Sequence, residues 1–380
     1  MINKIFLLIL VVLNCAANQD LIPLFKTYPN LKGKVPFISL GDFPSPIYKC
    51  RKLSRLFHHK IYFKRDDLTG KKDEAGYRNY SGNKLRKLQH VLAQAIDEKK
   101  DVVVTQGSAG SNHAVATSVC TKGLGLKCLL MLKPQPASNR VQHNLLMDTI
   151  FGSELRYFPD AQNRQVAIEE LLKRNPNYYF IPTGASNALG CIGFVNAIFE
   201  LKEQIDDYLV KEPDYIYVAV GSGGTTAGLL LGIQLLNLKT KVVAVTVEPE
   251  IVDDEILLLV KKLFHDTNQL LHFFDPNFPL VEFPDEKLII NKNFCGSIYG
   301  EATKEGLTAI KLVKLKEKII LDETYTGKAM AALINDLQNK RIDQDEIVLF
   351  WNTYCGLNFN DLIRKMDYRK LPVEFHQYFE

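Results

Sequence analysis

Short runs of apolar, often β-branched residues alternate with helix-spaced segments from about residue 60 to residue 351, and this alternation limits the fold more than any other feature. Residues 101–105 read Asp-Val-Val-Val-Thr, and 128–132, 215–220 and 241–247 are apolar over most of their length. Runs without polar alternation suit strands covered on both faces. Between them lie segments such as 83–98, where Leu85, Leu88, Val91, Leu92, Ala95 and Ile96 recur at helical spacing. The pattern predicts strands at 60–64, 101–105, 128–132, 178–181, 215–220, 241–247 and 347–351. Helices are predicted at 83–98, 112–122, 138–150, 161–174, 188–206, 225–236, 301–315 and 326–339. The fold class implied is α/β, with mostly parallel sheets in three-layer units. Residues 70–81 read as a polar surface loop, and 274–300, with three prolines, as irregular.

A chain of 380 residues is long enough for two domains. Hydrophobic residues at 46% and charged residues at 24% fit a globular protein and exclude global disorder. The net charge of +4, with no run of five basic residues, argues against a nucleic-acid partner. The seven cysteines form no Cys-x-x-Cys pair and no His-Glu-x-x-His occurs, so no metal site is expected and the thiols read as buried and free. At the N-terminus, Lys4 precedes a nine-residue apolar run ending at Leu13, and Cys15-Ala16-Ala17 follows. Residues 1–17 therefore read as a signal peptide directing export, the alternative being a packed helix on a cytoplasmic protein. The run is too short to span a bilayer, which needs about 20 residues, and no other stretch is long and apolar enough.

Two small-residue loops stand where strands meet helices. Gly221-Ser222-Gly223-Gly224-Thr225-Thr226 joins strand 215–220 to the next helix. Its glycines let backbone amides and a helix N-terminus approach an anion. No lysine follows in the position that nucleoside triphosphates require. A phosphate monoester, a dinucleotide (Glu248 ends the next strand) and a plain tight turn all remain compatible with this loop. Gly107-Ser108-Ala109-Gly110-Ser111-Asn112-His113 follows strand 101–105 at its carboxyl end, where open α/β sheets bind ligands. Its amides suit a carboxylate and Ser111 suits proton movement, while a capped helix start and a core histidine at His113 are the plainer readings of the loop taken alone. No Gly-x-Ser-x-Gly elbow supports a serine hydrolase. Ser81-Gly82-Asn83-Lys84 opens a helix, and a lysine held there can lose its proton and attack a carbonyl.

Taken together, Lys64-Arg65-Asp66-Asp67-Leu68-Thr69-Gly70, Gly82-Asn83-Lys84-Leu85-Arg86-Lys87-Leu88, Gly110-Ser111-Asn112-His113, Gly221-Ser222-Gly223-Gly224-Thr225 and Asp322-Glu323-Thr324-Tyr325-Thr326-Gly327-Lys328 resemble the D-cysteine desulfhydrase/1-aminocyclopropane-1-carboxylate (ACC) deaminase family. These are pyridoxal 5'-phosphate enzymes of the tryptophan-synthase-β fold. The resemblance runs in order from about residue 20 to 365. It implies that Lys84 carries the cofactor as a Schiff base, that Asn112 bonds the cofactor's phenolic oxygen, and that Gly221, Ser222, Gly223, Gly224 and Thr225 hold its phosphate. It places Thr353 at the pyridine nitrogen. Ser111, Asn112, His113 and Tyr325 would meet a small amino-acid substrate, with Lys84, Ser111 and Tyr325 catalytic. Family members often read His-Thr-Gly-Gly around Thr353, so Asn352 and the Tyr354-Cys355 pair depart from the pattern.

The resemblance also implies a large domain from 18–87 and 206–380, a small domain inserted at 88–205, and a homodimer. A neutral hydroxyl opposite the pyridine nitrogen favours elimination over transamination, so β-elimination to a 2-oxo acid and ammonia is expected. ACC deaminases of the family typically carry Glu directly after the motif tyrosine. Thr326 stands there, which points to D-cysteine or a related D-amino acid, with sulfide as a product. A β-replacement enzyme of the same fold, a nicotinamide dehydrogenase and an exported solute-binding protein are the competing readings.

Overall fold

The computed structural model describes residues 19, 20, 22–72, 80–249, 253–357 and 359–380. The signal-peptide reading of 1–17 and most of the loop read at 70–81 lie outside them. The described elements run in order α1 (Pro23–Thr27), β1 (Ile47–Lys49), α2 (Arg51–Phe57), β2 (Lys60–Arg65), α3 (Lys84–Asp97), β3 (Val102–Ser108), α4 (Asn112–Leu124) and β4 (Lys127–Lys133). They continue with α5 (Asn139–Ile150), β5 (Glu154–Tyr157), α6 (Ala161–Arg174), β6 (Tyr178–Ile181), α7 (Ala188–Asp206), β7 (Tyr215–Val220), α8 (Gly224–Leu235) and β8 (Lys241–Thr246). The last are α9 (Asp253–Phe274), β9 (Leu288–Asn291), α10 (Lys304–Glu317), α11 (Thr326–Gln338), β10 (Ile347–Asn352) and α12 (Asn360–Ile363).

Two sheets result. One has six strands in the order β1-β2-β10-β7-β8-β9, with only β1 antiparallel. The other is parallel, in the order β5-β4-β3-β6. Its strands fall in the chain between those of the first. The two helices flanking them, α3 and α7, pack on each other, and α7 also packs on α8 and α9. Val103, Val104, Ile216, Val218 and the whole of β10 are buried, as continuous apolar runs between helical layers require.

Three regions depart from the sequence reading. Residues 274–300 are not wholly irregular: Leu-Ile-Ile-Asn forms β9 on the open edge of β8. A stretch of four residues carries no periodicity of its own, and pairing decides it. The 22-residue α9 was not foreseen, nor were β1, α2 and β5. Strand β3 runs on through Gln106-Gly107-Ser108, so the second small-residue loop begins inside the sheet.

A buried ionic cluster fixes the base of α3. Lys64 donates to Glu200 (2.5 Å), Gln204 (2.6 Å) and the Ser45 carbonyl (2.7 Å). Arg86 donates to both oxygens of Asp66 and both of Glu200. The Trp351 indole donates to Asp66 at 2.8 Å. Burial pushes the Glu200 carboxyl upward, yet Arg86 and Lys64 more than reverse this and hold it near about 2. Such a cluster costs several kcal/mol if one partner is removed. It explains why the Lys64–Gly70 and Gly82–Leu88 motifs occur together: they join β2, α3 and β10 just below Lys84.

Candidate active site

The carboxyl ends of β3, β4, β6, β7, β8 and β10 converge on one cavity of about 320 Å³. Among the sequence-predicted residues, Lys84, Ser111, Asn112, His113, Gly221, Ser222, Gly223, Thr225, Tyr325 and Thr353 all line it. Gly224 does not: it opens α8 behind the wall.

Lys84 is the first residue of α3. Gly82 before it has φ +106°, a conformation that only glycine adopts without strain. A Cβ there would also press on the Thr353 carbonyl at 3.1 Å. The Asn83 amide donates to that carbonyl, tying the α3 start to the end of β10. Burial drives the Lys84 ammonium down from 10.5, the Lys87 charge adds to the effect and Asp322 opposes it, leaving a pKa of about 7. An amine so placed is substantially neutral at physiological pH and fit to attack an aldehyde.

Lys87 lies one turn along α3 and was missed in the sequence, where a lysine in a helix reads as a surface charge. It is 1% exposed, and burial lowers it to about 8, with Cys191 opposing. Its Nζ donates to Ser186 Oγ at 2.9 Å, and Ser186 Oγ lies 2.8 Å from Ser222 Oγ. A Cβ on Gly224 would sit 2.6 Å from Ser186 Oγ and 2.8 Å from Lys87 Nζ, so glycine is what allows this junction. Gly223 has φ +75° and caps α8. Thr226 Oγ1 is buried beside the cavity without a partner among the described residues. The glycine loop therefore combines a helix N-terminus, a lysine, serine hydroxyls and an orphaned hydroxyl. That donor set fits a phosphate monoester, and a carbonyl-bearing cofactor with such a phosphate can reach Lys84 in the same cavity. These residues fit pyridoxal phosphate.

Ser111 is the N-cap of α4, in extended backbone, its Oγ accepting from the Ala114 amide at 3.2 Å. Gly107 is required beside it, since a Cβ there would stand 2.8 Å from Ser111 Oγ. The Asn112 side-chain oxygen is taken by Asn144 Nδ2 at 3.0 Å, which leaves its amide hydrogens free for the cavity. Thr105 spends its hydroxyl proton on the Ile181 carbonyl at 2.7 Å, so His113 Nε2, 2.9 Å away, is the donor between the two. Burial, with Lys84 and Lys87 adding, holds His113 well below 6.5 and neutral.

On the opposite wall the Tyr325 and Tyr299 hydroxyls are 2.5 Å apart. Tyr299 was also missed, because it lies in the stretch read as irregular. Glu248 and Asp322 complete this wall. Thr326 turns away into the core and is 0% exposed, its hydroxyl donating to Asp322 at 2.6 Å.

Residues 38–353 match the family model described as pyridoxal-phosphate dependent enzyme. A Pyrococcus furiosus protein provisionally named a 1-aminocyclopropane-1-carboxylate deaminase is 33% identical over 331 residues, covering 85% of this chain and 93% of that protein. A Serratia proteamaculans D-cysteine desulfhydrase is 32% identical, covering 85% and 96%. The crystal structure of an ACC deaminase homologue superposes with a TM-score of 0.71 at 30% identity, covering 88% of this chain and 97% of that one. A Solanum lycopersicum threonine deaminase shares the fold at a TM-score of 0.58 and 16% identity. The chain belongs to the pyridoxal-phosphate-dependent enzymes, with the tryptophan-synthase-β-like fold, and is of the ACC deaminase/D-cysteine desulfhydrase type.

Proposed function

We propose that the protein eliminates the β-substituent of a small D-amino acid, D-cysteine foremost, releasing a 2-oxo acid, ammonia and, from cysteine, sulfide. The observation that carries this choice is Thr326. ACC deaminases typically place a carboxylate directly after the motif tyrosine, whereas here that position is a threonine folded into the Asp322 turn and absent from the cavity wall. The cofactor, when bound, supplies the electron sink for charge left at the substrate Cα. The chain's own residues do the rest. The Lys87–Ser186–Ser222 relay and the α8 amides would anchor the phosphate, and Asn112 would present amide hydrogens to the cofactor. Lys84 would hold the cofactor through its amine, and that amine, with its pKa of about 7, is the base placed to take the α-proton, with Ser111 beside it. The tyrosine pair lies across the cavity from Ser111 and offers its one remaining hydroxyl proton there.

Assays of pyruvate, ammonia and sulfide with D-cysteine, L-cysteine and ACC test the reading. Sulfide and pyruvate from D-cysteine are expected, and 2-oxobutyrate from ACC with none from D-cysteine would overturn it. Export through residues 1–17 and homodimer formation are further proposals, tested by N-terminal sequencing of the mature protein and by sedimentation. No helix among the described residues is long and apolar enough to cross a membrane.

A further inference from the structure

Two cations in the cavity take no part in the chemistry above. Arg164, on α6, is 8% exposed. Its Nη1 donates to the Gly107 carbonyl at 2.8 Å, and its Nε is buried with no partner among the described residues. Lys133 ends β4 in register with Ser108 of β3. Both line the cavity, and neither forms an ion pair among the described residues. A guanidinium is charged at every physiological pH, and a buried charge without a counter-ion costs several kcal/mol. Burial alone acts on Arg164, pulling its pKa below 12.5, as a cation without a carboxylate neighbour would show. The cavity's own carboxylates, Glu248 and Asp322, stand elsewhere: Glu248 Oε1 is 3.9 Å from a Cβ built on Gly221, and Asp322 is spent on the amides of Thr324, Tyr325 and Thr326. Charge is thus divided, with carboxylates on the tyrosine side and free cations on the Gly107–Ser111 side.

We propose that Arg164 and Lys133 form a pocket for a second anionic group on the substrate, so that the enzyme prefers amino acids whose β-substituent carries negative charge. This rests on the β-elimination reading and refines its substrate class, D-cysteine entering it as the thiolate. In such a substrate the base removes the Cα proton and the Cβ–X bond breaks, X leaving with the bonding pair. The three-carbon enamine then takes up water to give pyruvate and ammonia. A departing anion held by two cations is stabilised as its charge develops, whereas a neutral substituent leaves both cations unpaired.

The test compares O-phosphoserine with O-acetylserine, in both enantiomers, on the holoenzyme. The wild type is expected to favour O-phosphoserine in kcat/KM. Arg164→Gln should lose on the order of 10-fold to 100-fold on O-phosphoserine, as for a lost charged hydrogen bond, and less than about threefold on O-acetylserine. Lys133→Gln, whose side chain makes no loop hydrogen bond, should show the same selective loss and guards against a folding defect in Arg164→Gln. Equal losses on both substrates would assign Arg164 to the loop or to the common carboxylate and overturn the proposal, as would no loss in either variant. Calorimetric binding of aspartate against alanine separates this from failure of the elimination reading. If neither serine ester turns over, a preference for aspartate that disappears in both variants still upholds the anion pocket. Equal binding of the two sinks it.

Discussion

Asn144 Nδ2 donates both to the Gly110 carbonyl, at 2.8 Å, and to the side-chain oxygen of Asn112, at 3.0 Å. The first bond fixes which end of the Asn144 amide faces the loop. The second therefore fixes the Asn112 rotamer, with its amide hydrogens toward the cavity. Asn144→Leu should leave the fold intact and release Asn112 to rotate. Loss of one hydrogen bond to a charged oxygen is worth about 1.5–3 kcal/mol. Cofactor affinity, read by fluorescence titration, is expected to fall by roughly 10-fold, with Asn112→Ala falling at least as far. Unchanged affinity in Asn144→Leu would show that Asn112 orients itself.

The pKa of about 7 at Lys84 sets a pH dependence for cofactor capture. The neutral amine is the nucleophile, so the capture rate should rise through about pH 7 and level off above it. Lys87 contributes to the depression, so Lys87→Met should move the midpoint upward while weakening the phosphate grip. Stopped-flow absorbance against pH reads both effects. Stability follows the same sign. Between the folded value and 10.5 the unfolded chain binds the proton that the folded one has shed at Lys84, so this group adds stability to the cofactor-free protein as pH rises over that window. Lys84→Met should remove that contribution, while Lys87, Lys64 and Lys328, also lowered, keep adding to the slope and the raised buried thiols oppose it.

How far the sequence discloses the site depends on how local each signal is. Lys84 is legible because Gly82-Asn83 precede it at a helix start, and the glycine loop because it joins an apolar strand to a helix. Lys87 is not legible, since its partner Ser186 stands 99 residues away and only the packing of α3 on α7 brings them together. Tyr299 is hidden because it lies in a stretch without periodicity and meets Tyr325 only in the fold. Helix α9 is a different case: Ile256, Val260, Leu263, Phe264 and Leu271, all buried, carry helical spacing that the sequence itself contains. Strand β9 carries none and exists because β8 offers it an edge.

Ser111 has two duties that one substitution separates. Its oxygen caps α4 through the Ala114 amide, while its proton remains available to the cavity. Ser111→Ala is expected to cost about 1 kcal/mol of stability through the lost cap. If the hydroxyl also moves the α-proton, turnover should fall by a factor of about 10² to 10⁴, with cofactor still bound. A lowered melting temperature with unchanged turnover would leave capping as its whole role.

The tyrosine pair should behave as one unit. With hydroxyls 2.5 Å apart, one phenol donates to the other, and a single proton is left for the cavity. Burial raises both above 10, and at Tyr325 the neighbouring Tyr299 adds to the rise. Neither should ionise below pH 10, so no fall in rate between pH 7 and 10 should arise from them. Tyr325 also flanks the glycine loop, its Cε1 3.6 Å from a Cβ built on Gly221. Tyr325→Phe removes the hydroxyl of the ring that flanks the glycine loop and should lower kcat by about 10² or more, the scale of lost general acid–base help. Tyr299→Phe removes only the partner that aligns it and should cost about tenfold, as for one lost neutral hydrogen bond. Because Tyr299 acts through Tyr325, the double variant should be no slower than Tyr325→Phe alone. Multiplying losses in the double variant would show two independent contributions and end the description of the pair as a relay.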